Sequence, residues 1–135
     1  MKVVFDAGVV FSAAGWRGEA HRCLAAMAHR QVIAYATAVT LSELRNLLAD
    51  RGHKTKYPPG TTLNWYCDRV KLVEPVPLGK QRSRDVKDDP YLACALAAGA
   101  KVIVSRDEDL LVLQKPFGIQ ILTPRELLMK LTRTF

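Results

Sequence analysis

Residues 101–111 read Lys-Val-Ile-Val-Ser-Arg-Asp-Glu-Asp-Leu-Leu, and this stretch decides the fold. Its continuous apolar run, Val102 to Val104, is typical of a strand that is buried on both faces of a sheet. The run ends abruptly in Ser105, Asp107 and Asp109. Open α/β sheets build their functional sites at the carboxyl ends of central strands. Acids at that edge of a sheet, in a chain that is basic overall, therefore point to a functional site.

The composition favours one compact domain that spans residues 1–135. Of the 135 residues, 49% are hydrophobic and 24% are charged, which is typical of a globular domain and excludes a disordered chain. No apolar run approaches the roughly 18 residues that a membrane span needs, and the short run before Asp6 does not resemble a signal peptide. We therefore expect a cytoplasmic protein with no membrane contact.

Charge and cysteine content give two weaker indications. The formal net charge of +7 favours polyanionic partners such as nucleic acid, although many basic domains bind no polyanion. Three cysteines, Cys23, Cys67 and Cys94, are odd in number and lack metal-ligand spacing. We expect them to be reduced thiols rather than a disulfide or a zinc site.

Strands and helices alternate along the chain. Apolar patterns predict strands at 2–5, 31–36, 71–76, 102–104 and 119–122. They predict helices at 18–30, 40–50 and 61–69, from Pro90 onward, at 110–114 and after Thr123. The last of these has a complete helix start in Thr123-Pro124-Arg125-Glu126, with a cap, a proline at the first position and Glu three residues after the cap. This alternation predicts a three-layer α/β/α sandwich with a mostly parallel central sheet.

Each acid near a strand end also has a local explanation. Asp6, which follows the first strand, is able to bond its own turn, and Glu43 completes the capping-box pattern that starts at Thr40. However, Glu43 lies about 40° around the helix from Leu47, at the border of the apolar stripe rather than opposite it. These alternatives remain open for each residue alone.

The remaining acids have similar local alternatives. One member of the pair Asp88 and Asp89 is expected to cap the helix that Pro90 opens, which leaves the other free. Ser105 and Glu108 are able to form a capping box for the short helix that follows, with neighbouring acids enriching its first turn. Local roles explain poorly why so many acids occur where elements converge on one sheet edge.

Converging carboxylates repel one another unless a cation neutralises them. Carboxylate oxygens, with no His or Cys at ligand spacing, select Mg²⁺ or Mn²⁺ over zinc. A metal held in this way activates a water and stabilises charge on a phosphodiester, so no protein nucleophile is needed.

Four acidic motifs together resemble the PIN domain family, in particular its compact prokaryotic members, which include VapC-type toxins. They are Asp6 after the first strand, Glu43 in Ser-Glu-Leu, Asp89 in Asp-Asp-Pro-Tyr-Leu-Ala-Cys-Ala, and Asp107 in Val-Ser-Arg-Asp-Glu-Asp-Leu-Leu. The resemblance covers essentially the whole chain. It implies a ribonuclease in which these four acids are catalytic and bind one or two Mg²⁺ or Mn²⁺ ions, with Asp109 as a further ligand.

The resemblance also implies partners, which are RNA, a second copy of the chain in a homodimer and, for toxin members, a small antitoxin that blocks the site. Two departures from the family pattern stand out. Ala7 and Gly8 occupy the positions where Thr or Ser and then Asn usually follow the first Asp, so a bond supporting Asp6 is in doubt. Ser105 stands where Thr is common and keeps the hydroxyl.

Substrate contacts are expected from residues beside the acids. The candidates are Ser105, Arg106, Arg84, Arg82 and Lys80, for which the alternative is a solvated charged surface. The alternative function is a PIN-fold module that binds nucleic acid or protein with weak catalysis or none, and the Ala7-Gly8 departure is its best support. An aspartyl phosphatase is disfavoured because Gly8 stands where its second acid is needed.

Overall fold

The structure is a computed structural model, and it describes residues 1–133. Its strands are β1 (Lys2–Phe5), β2 (Ile33–Ala36), β3 (Lys71–Leu72), β4 (Val102–Val104) and β5 (Gln120–Leu122). Its α-helices are α1 (Ala7–Gly15), α2 (Glu19–Ala28), α3 (Ala38–Arg51), α4 (Gly60–Arg69), α5 (Asp89–Ala98), α6 (Glu108–Leu111) and α7 (Pro124–Arg133). Short 3-10 turns lie at Gly52–Lys54, Val86–Asp88 and Pro116–Gly118.

All five strands are parallel and form one sheet in the order β3-β2-β1-β4-β5, with helices on both faces. This confirms the predicted α/β/α sandwich. The chain runs from β1 outward through β2 to β3, and then returns to the other side of β1 as β4. The strand order therefore reverses between β1 and β4, where parallel sheets open a crevice at their carboxyl ends.

The central strands are as buried as their sequence predicts. Val3 and Val4 of β1 and Ile103 and Val104 of β4 have no exposed surface. The ladder continues past the end of β1, because the amide of Asp6 donates to the carbonyl of Val104 at 2.9 Å. Asp6 is therefore held at the crevice by the sheet itself.

Helix α1 was not predicted, since Gly8 was interpreted as part of a turn. Seven of its nine residues are buried, from Ala7 to Gly15, so the helix has no polar face and its sequence shows no helical alternation. Its start is nevertheless ordinary, because Asp6 caps it by accepting a hydrogen bond from the amide of Gly8.

Two helix starts test the predicted caps. The start at Thr123 is confirmed, since Thr123 and Glu126 bond each other's amides. Helix α3 starts at Ala38 rather than at Thr40, and its capping box pairs Thr37 with Thr40. The local explanation of Glu43 as a capping residue is therefore wrong, because Glu43 lies more than a turn inside the helix.

Helix α5 ends at Ala98, and Gly99 after it adopts the left-handed conformation (φ 68°) that favours glycine. All three cysteines are unpaired. Among residues 1–133, no helix is both long and apolar enough to cross a membrane.

Candidate metal centre

Asp6 is the innermost acid of the crevice. Its Oδ1 accepts from the amide of Gly8 at 3.0 Å, and its Oδ2 accepts from the hydroxyl of Ser105 at 2.7 Å. Burial raises the pKa of Asp6, the two hydrogen bonds oppose this shift, and the charge of Asp107 adds to it. The Ala7-Gly8 departure therefore does not leave Asp6 unsupported, because a backbone amide and Ser105 hold it.

Ser105 organises the loop after β4. Its hydroxyl donates to Asp6 and accepts from the amide of Asp107 at 2.9 Å, which links two of the predicted ligands. The side chain of Ser105 has no exposed surface. In this structure Ser105 supports Asp6 and Asp107 from within the protein, and a contact of Ser105 with substrate stays a prediction.

Asp107 begins α6. Its Oδ1 accepts from the amide of Asp109 at 2.9 Å, so Asp107 itself caps the helix and the proposed capping box of Ser105 and Glu108 does not form. The local and functional roles are compatible, because this bond occupies only one of the two oxygens of Asp107.

Glu43 reaches the same crevice from α3. Its Oε2 accepts from the hydroxyl of Tyr91 at 2.5 Å. Burial raises the pKa of Glu43, the bond from Tyr91 and the charge of Lys87 lower it, and the charges of Asp6 and Asp107 raise it. Glu43, Asp6 and Asp107 are therefore near enough to influence one another's ionisation, although they come from three separate segments.

Asp89 is bonded to the loop that precedes α5. Its Oδ2 accepts from the amide of Arg82 at 2.9 Å, and its Oδ1 accepts from the amide of Ser83 at 2.7 Å. Both oxygens are thus used to hold the loop before α5. Asp89 therefore has a structural role in the loop before α5, and its choice as a ligand stays a prediction.

Asp88, rather than Asp89, is the residue whose carboxyl group lies near those of Asp6 and Asp107. It is 5% exposed, and its Oδ2 is buried without any hydrogen-bond partner. Burial, together with the neighbouring carboxyl groups of Asp107, Asp6 and Asp85, raises the pKa of Asp88 to about 7. A buried carboxylate oxygen without a donor is costly, so Asp88 needs either a proton or a cation.

Asp88 also belongs to a second group of acids. Oxygens of Asp85, Asp88 and Asp109 lie within 4.8 Å of one another. Asp109 is in addition paired with Arg84, at 2.8 Å between Oδ1 and the guanidinium. Asp88 therefore joins the group of Asp6 and Asp107 to the group of Asp85 and Asp109.

The donor set is suited to a hard divalent cation. The six acids of the two groups supply only carboxylate oxygens, which are the ligands that Mg²⁺ and Mn²⁺ prefer. The partnerless oxygen of Asp88 is the most direct sign of a fit, because it is oriented among like charges that a cation would neutralise. These residues thus fit a divalent metal.

The predicted basic residues lie at the protein surface, and Arg84 contacts Asp109 directly. Arg84, Arg106, Arg82 and Lys80 are all exposed. Arg106 donates to Ser12 at 3.2 Å, and the guanidinium of Arg82 donates to the carbonyl of Leu78 and lies over the ring of Phe117. Their charges are therefore accessible to a polyanion, while the acids lie deeper.

Sequence reasoning missed two residues of the site and left a third undecided. Asp85 and Tyr91 were not considered, and Asp88 was left as the alternative to Asp89. The spacing of Asp85 and Asp88, three apart, was a possible signal, since such a pair shares one side of a helical turn. Tyr91 was marked as a hydroxyl-bearing residue in a helix that continues with only Leu, Ala and Cys.

Comparisons with known proteins agree with the fold. A family model described as PIN domain matches residues 2–109. The crystal structure of PAE2754 from Pyrobaculum aerophilum is similar, with a TM-score of 0.68 and 21% identity over 98% of this chain and 90% of that one. The crystal structure of FitAcB from Neisseria gonorrhoeae has a TM-score of 0.53 and 15% identity over 91% of this chain and 98% of that one. No curated protein sequence matches the chain.

Proposed function

Because this chain belongs to the PIN domain family, we propose that it is a divalent-metal-dependent endoribonuclease. PIN domains are generally metal-dependent nucleases, and the acids of the crevice are compatible with that chemistry. The single observation that carries the proposal is the buried, partnerless Oδ2 of Asp88 among Asp6, Asp107 and Asp85. A cation in contact with this oxygen explains why four like charges are gathered at one edge of the sheet.

The proposed ligands are Asp6, Glu43, Asp88 and Asp107, with Asp85 and Asp109 in the adjoining group. Bound Mg²⁺ or Mn²⁺ would supply an activated water and stabilise the charge that develops on the phosphodiester. Ser105 and the amide of Gly8 orient Asp6, and the amide of Asp109 orients Asp107. Asp89 contributes indirectly, because it holds the loop that carries Asp85 and Asp88.

The basic residues at the surface of the crevice are proposed to bind the phosphates on either side of the cleaved bond. Lys80, Arg82, Arg84 and Arg106 are exposed there. Lys and Arg contacts to phosphate position a nucleic acid without reading its sequence. Release of Arg84 from its ion pair with Asp109 would cost little, because exposed ion pairs contribute about 0–1 kcal/mol.

The partners proposed for the protein are RNA, a second copy of the chain and a small antitoxin protein, in a cytoplasmic setting. The antitoxin and homodimer proposals come from the resemblance of the acidic motifs to VapC-type toxins. Val39 and Val86 are 55% and 60% exposed near Glu43 and Asp88, and they offer an apolar surface that a partner chain would cover.

The alternative of an inactive PIN-fold module loses its best support. That support was the lack of a side-chain hydroxyl or amide at Ala7 and Gly8. The amide of Gly8 and the hydroxyl of Ser105 now account for both oxygens of Asp6.

Cleavage of a labelled single-stranded RNA by the purified protein tests the proposal. We expect cleavage with Mn²⁺ or Mg²⁺ and none with EDTA, and we expect Asp6→Asn to lower the rate by at least about 100-fold because it removes a ligand charge. Asp68→Asn is the matched control, since Asp68 is an exposed acid on α4. Binding of RNA without cleavage under any metal condition would contradict the enzyme and support the module.

A further inference from the structure

The hydroxyl of Tyr91 links Glu43 to the start of α1, directly after Asp6. Tyr91 lies on α5, and its side chain has no exposed surface. Its hydroxyl accepts from the amide of Ala7 at 3.1 Å and donates to Oε2 of Glu43 at 2.5 Å. One oxygen is thus bonded both to the residue next to Asp6 and to the carboxylate of Glu43.

The direction of these bonds follows from the chemistry of a phenol. A phenolic oxygen has one hydrogen to donate and is able to accept as well. The amide of Ala7 can only donate, so the single hydrogen of Tyr91 goes to Glu43. Glu43 is therefore the acceptor in this bond, and its ionised form suits that role.

We propose that Tyr91 is a positioning residue, whose hydroxyl fixes the carboxylate of Glu43 relative to Asp6 so that both acids contact one divalent cation. This inference rests on the proposed metal site. It concerns Glu43 alone, because Asp6 is already held by Gly8 and Ser105.

The need for such a contact follows from the length of the Glu43 side chain. Glutamate has three rotatable side-chain bonds, and ordering it costs conformational entropy. Among residues 1–133, Tyr91 is the hydrogen-bond donor to Glu43, and Oε1 of Glu43 accepts no hydrogen bond from the protein. The bond thus orders one oxygen and leaves the other for a metal.

A buried tyrosine with a merely structural role would behave differently. Any buried hydroxyl needs a partner, and a backbone carbonyl would satisfy that need. Here the acceptor is a proposed metal ligand, so loss of the hydroxyl should weaken metal binding as well as stability. A merely structural hydroxyl would affect stability alone.

The experiment uses direct Mn²⁺ titration of the intact protein, followed by electron paramagnetic resonance, beside steady-state RNA cleavage at saturating Mn²⁺. Tyr91→Phe removes the hydroxyl and keeps the ring. We expect its Mn²⁺ dissociation constant to rise by about 10–100-fold, as is usual when a residue that orients a metal ligand is changed. We expect kcat to fall while KM for RNA is unchanged.

Two further variants make the test specific. Tyr66→Phe is the matched control, because Tyr66 is the other buried tyrosine and lies on α4, outside the site. It should bind Mn²⁺ as the unmodified protein does. In a Glu43→Gln background, Tyr91→Phe should cause no additional loss of Mn²⁺ affinity, since the group that it orients is already altered.

Wild-type Mn²⁺ affinity in Tyr91→Phe, even with a lowered melting temperature, would overturn the inference and leave the nuclease proposal standing. Mn²⁺ binding without RNA cleavage by the unmodified protein would overturn the nuclease proposal. The effect of Tyr91→Phe on Mn²⁺ affinity would then still decide whether Tyr91 positions Glu43. Absence of Mn²⁺ binding by the unmodified protein would overturn both.

Discussion

Asp88 and Asp89 are neighbours in the chain whose carboxylates have opposite environments. Asp89 accepts two backbone hydrogen bonds, so its charge is compensated by the protein. Asp88 has a buried oxygen without a donor and lies near three other carboxyl groups. The folded protein without a cation therefore carries an electrostatic cost at Asp88 that a proton or a metal removes.

This cost predicts how stability depends on pH in the absence of divalent metal. Burial, together with the neighbouring carboxyl groups, raises the pKa of Asp88 from 3.8 to about 7, so between these values the folded state holds a proton that the unfolded chain has released. Stability should therefore fall as pH rises through this window. The contribution of Asp88 should be about 1–3 kcal/mol between roughly pH 4 and pH 8.

Urea unfolding in EDTA at several pH values measures this effect. Asp88→Asn should be more stable than the unmodified protein near neutral pH and should show a shallower decline with pH. Asp50→Asn, at an exposed position on α3, is the control and should keep the original decline. If the free energy of unfolding of Asp88→Asn fell with rising pH as steeply as that of the unmodified protein, Asp88 would not be the carboxyl group that causes the decline.

At the residue scale, the sequence predicts which segments carry the acids but not which way each side chain points. Asp6 and Asp107 follow buried strands, so the sheet brings them together whatever the loops do. The choice between Asp88 and Asp89 depends instead on the path of the loop at Arg82 and Ser83, whose amides bind Asp89. No local pattern in the sequence indicates that path.

At the scale of elements, α1 is the support on which the site rests. It begins at Ala7, with Asp6 as its cap, and packs against α2, α3 and α4. Its last residue, Gly15, accepts a hydrogen bond from the amide of Tyr57 at 3.0 Å, which fastens the segment after α3 to the helix. Thr55 lies close to Gly15 because glycine has no side chain.

Gly15→Ala should destabilise the protein. A Cβ at position 15 would lie 2.5 Å from Cγ2 and 2.8 Å from Cβ of Thr55, so the 55–57 segment would have to move. Such overpacking typically costs about 1–3 kcal/mol. Gly60→Ala is the matched control, because a Cβ at the start of α4 meets no atom within 4 Å. Thermal unfolding distinguishes them, and equal melting temperatures of the two variants would refute the packing at Gly15.

The elements that the sequence predicts well are those with one polar and one apolar side. Helices α2 and α7, and the start at Thr123, have such patterns, and β4 is marked by three consecutive apolar residues. Helix α1 has neither signal, since it is buried almost throughout and its small residues also suit a turn. Strand β3 is shorter than predicted and ends at Leu72, ahead of Pro75 and Pro77.

At the scale of the whole molecule, charge is segregated. The chain has a formal net charge of +7, yet six carboxyl groups lie at one crevice of the sheet. A basic surface attracts a polyanion from a distance, and a cation among the acids would let its phosphates approach them. We therefore expect a divalent metal to bind in the crevice before nucleic acid enters it.

Calorimetric titration of Mn²⁺ into the unmodified protein, Asp88→Asn and Asp89→Asn tests that expectation most directly. We expect measurable Mn²⁺ binding by the unmodified protein, a loss of Mn²⁺ affinity of at least about 10-fold in Asp88→Asn, and a much smaller loss in Asp89→Asn. Equal affinity of Asp88→Asn and the unmodified protein, or a larger loss in Asp89→Asn, would contradict it.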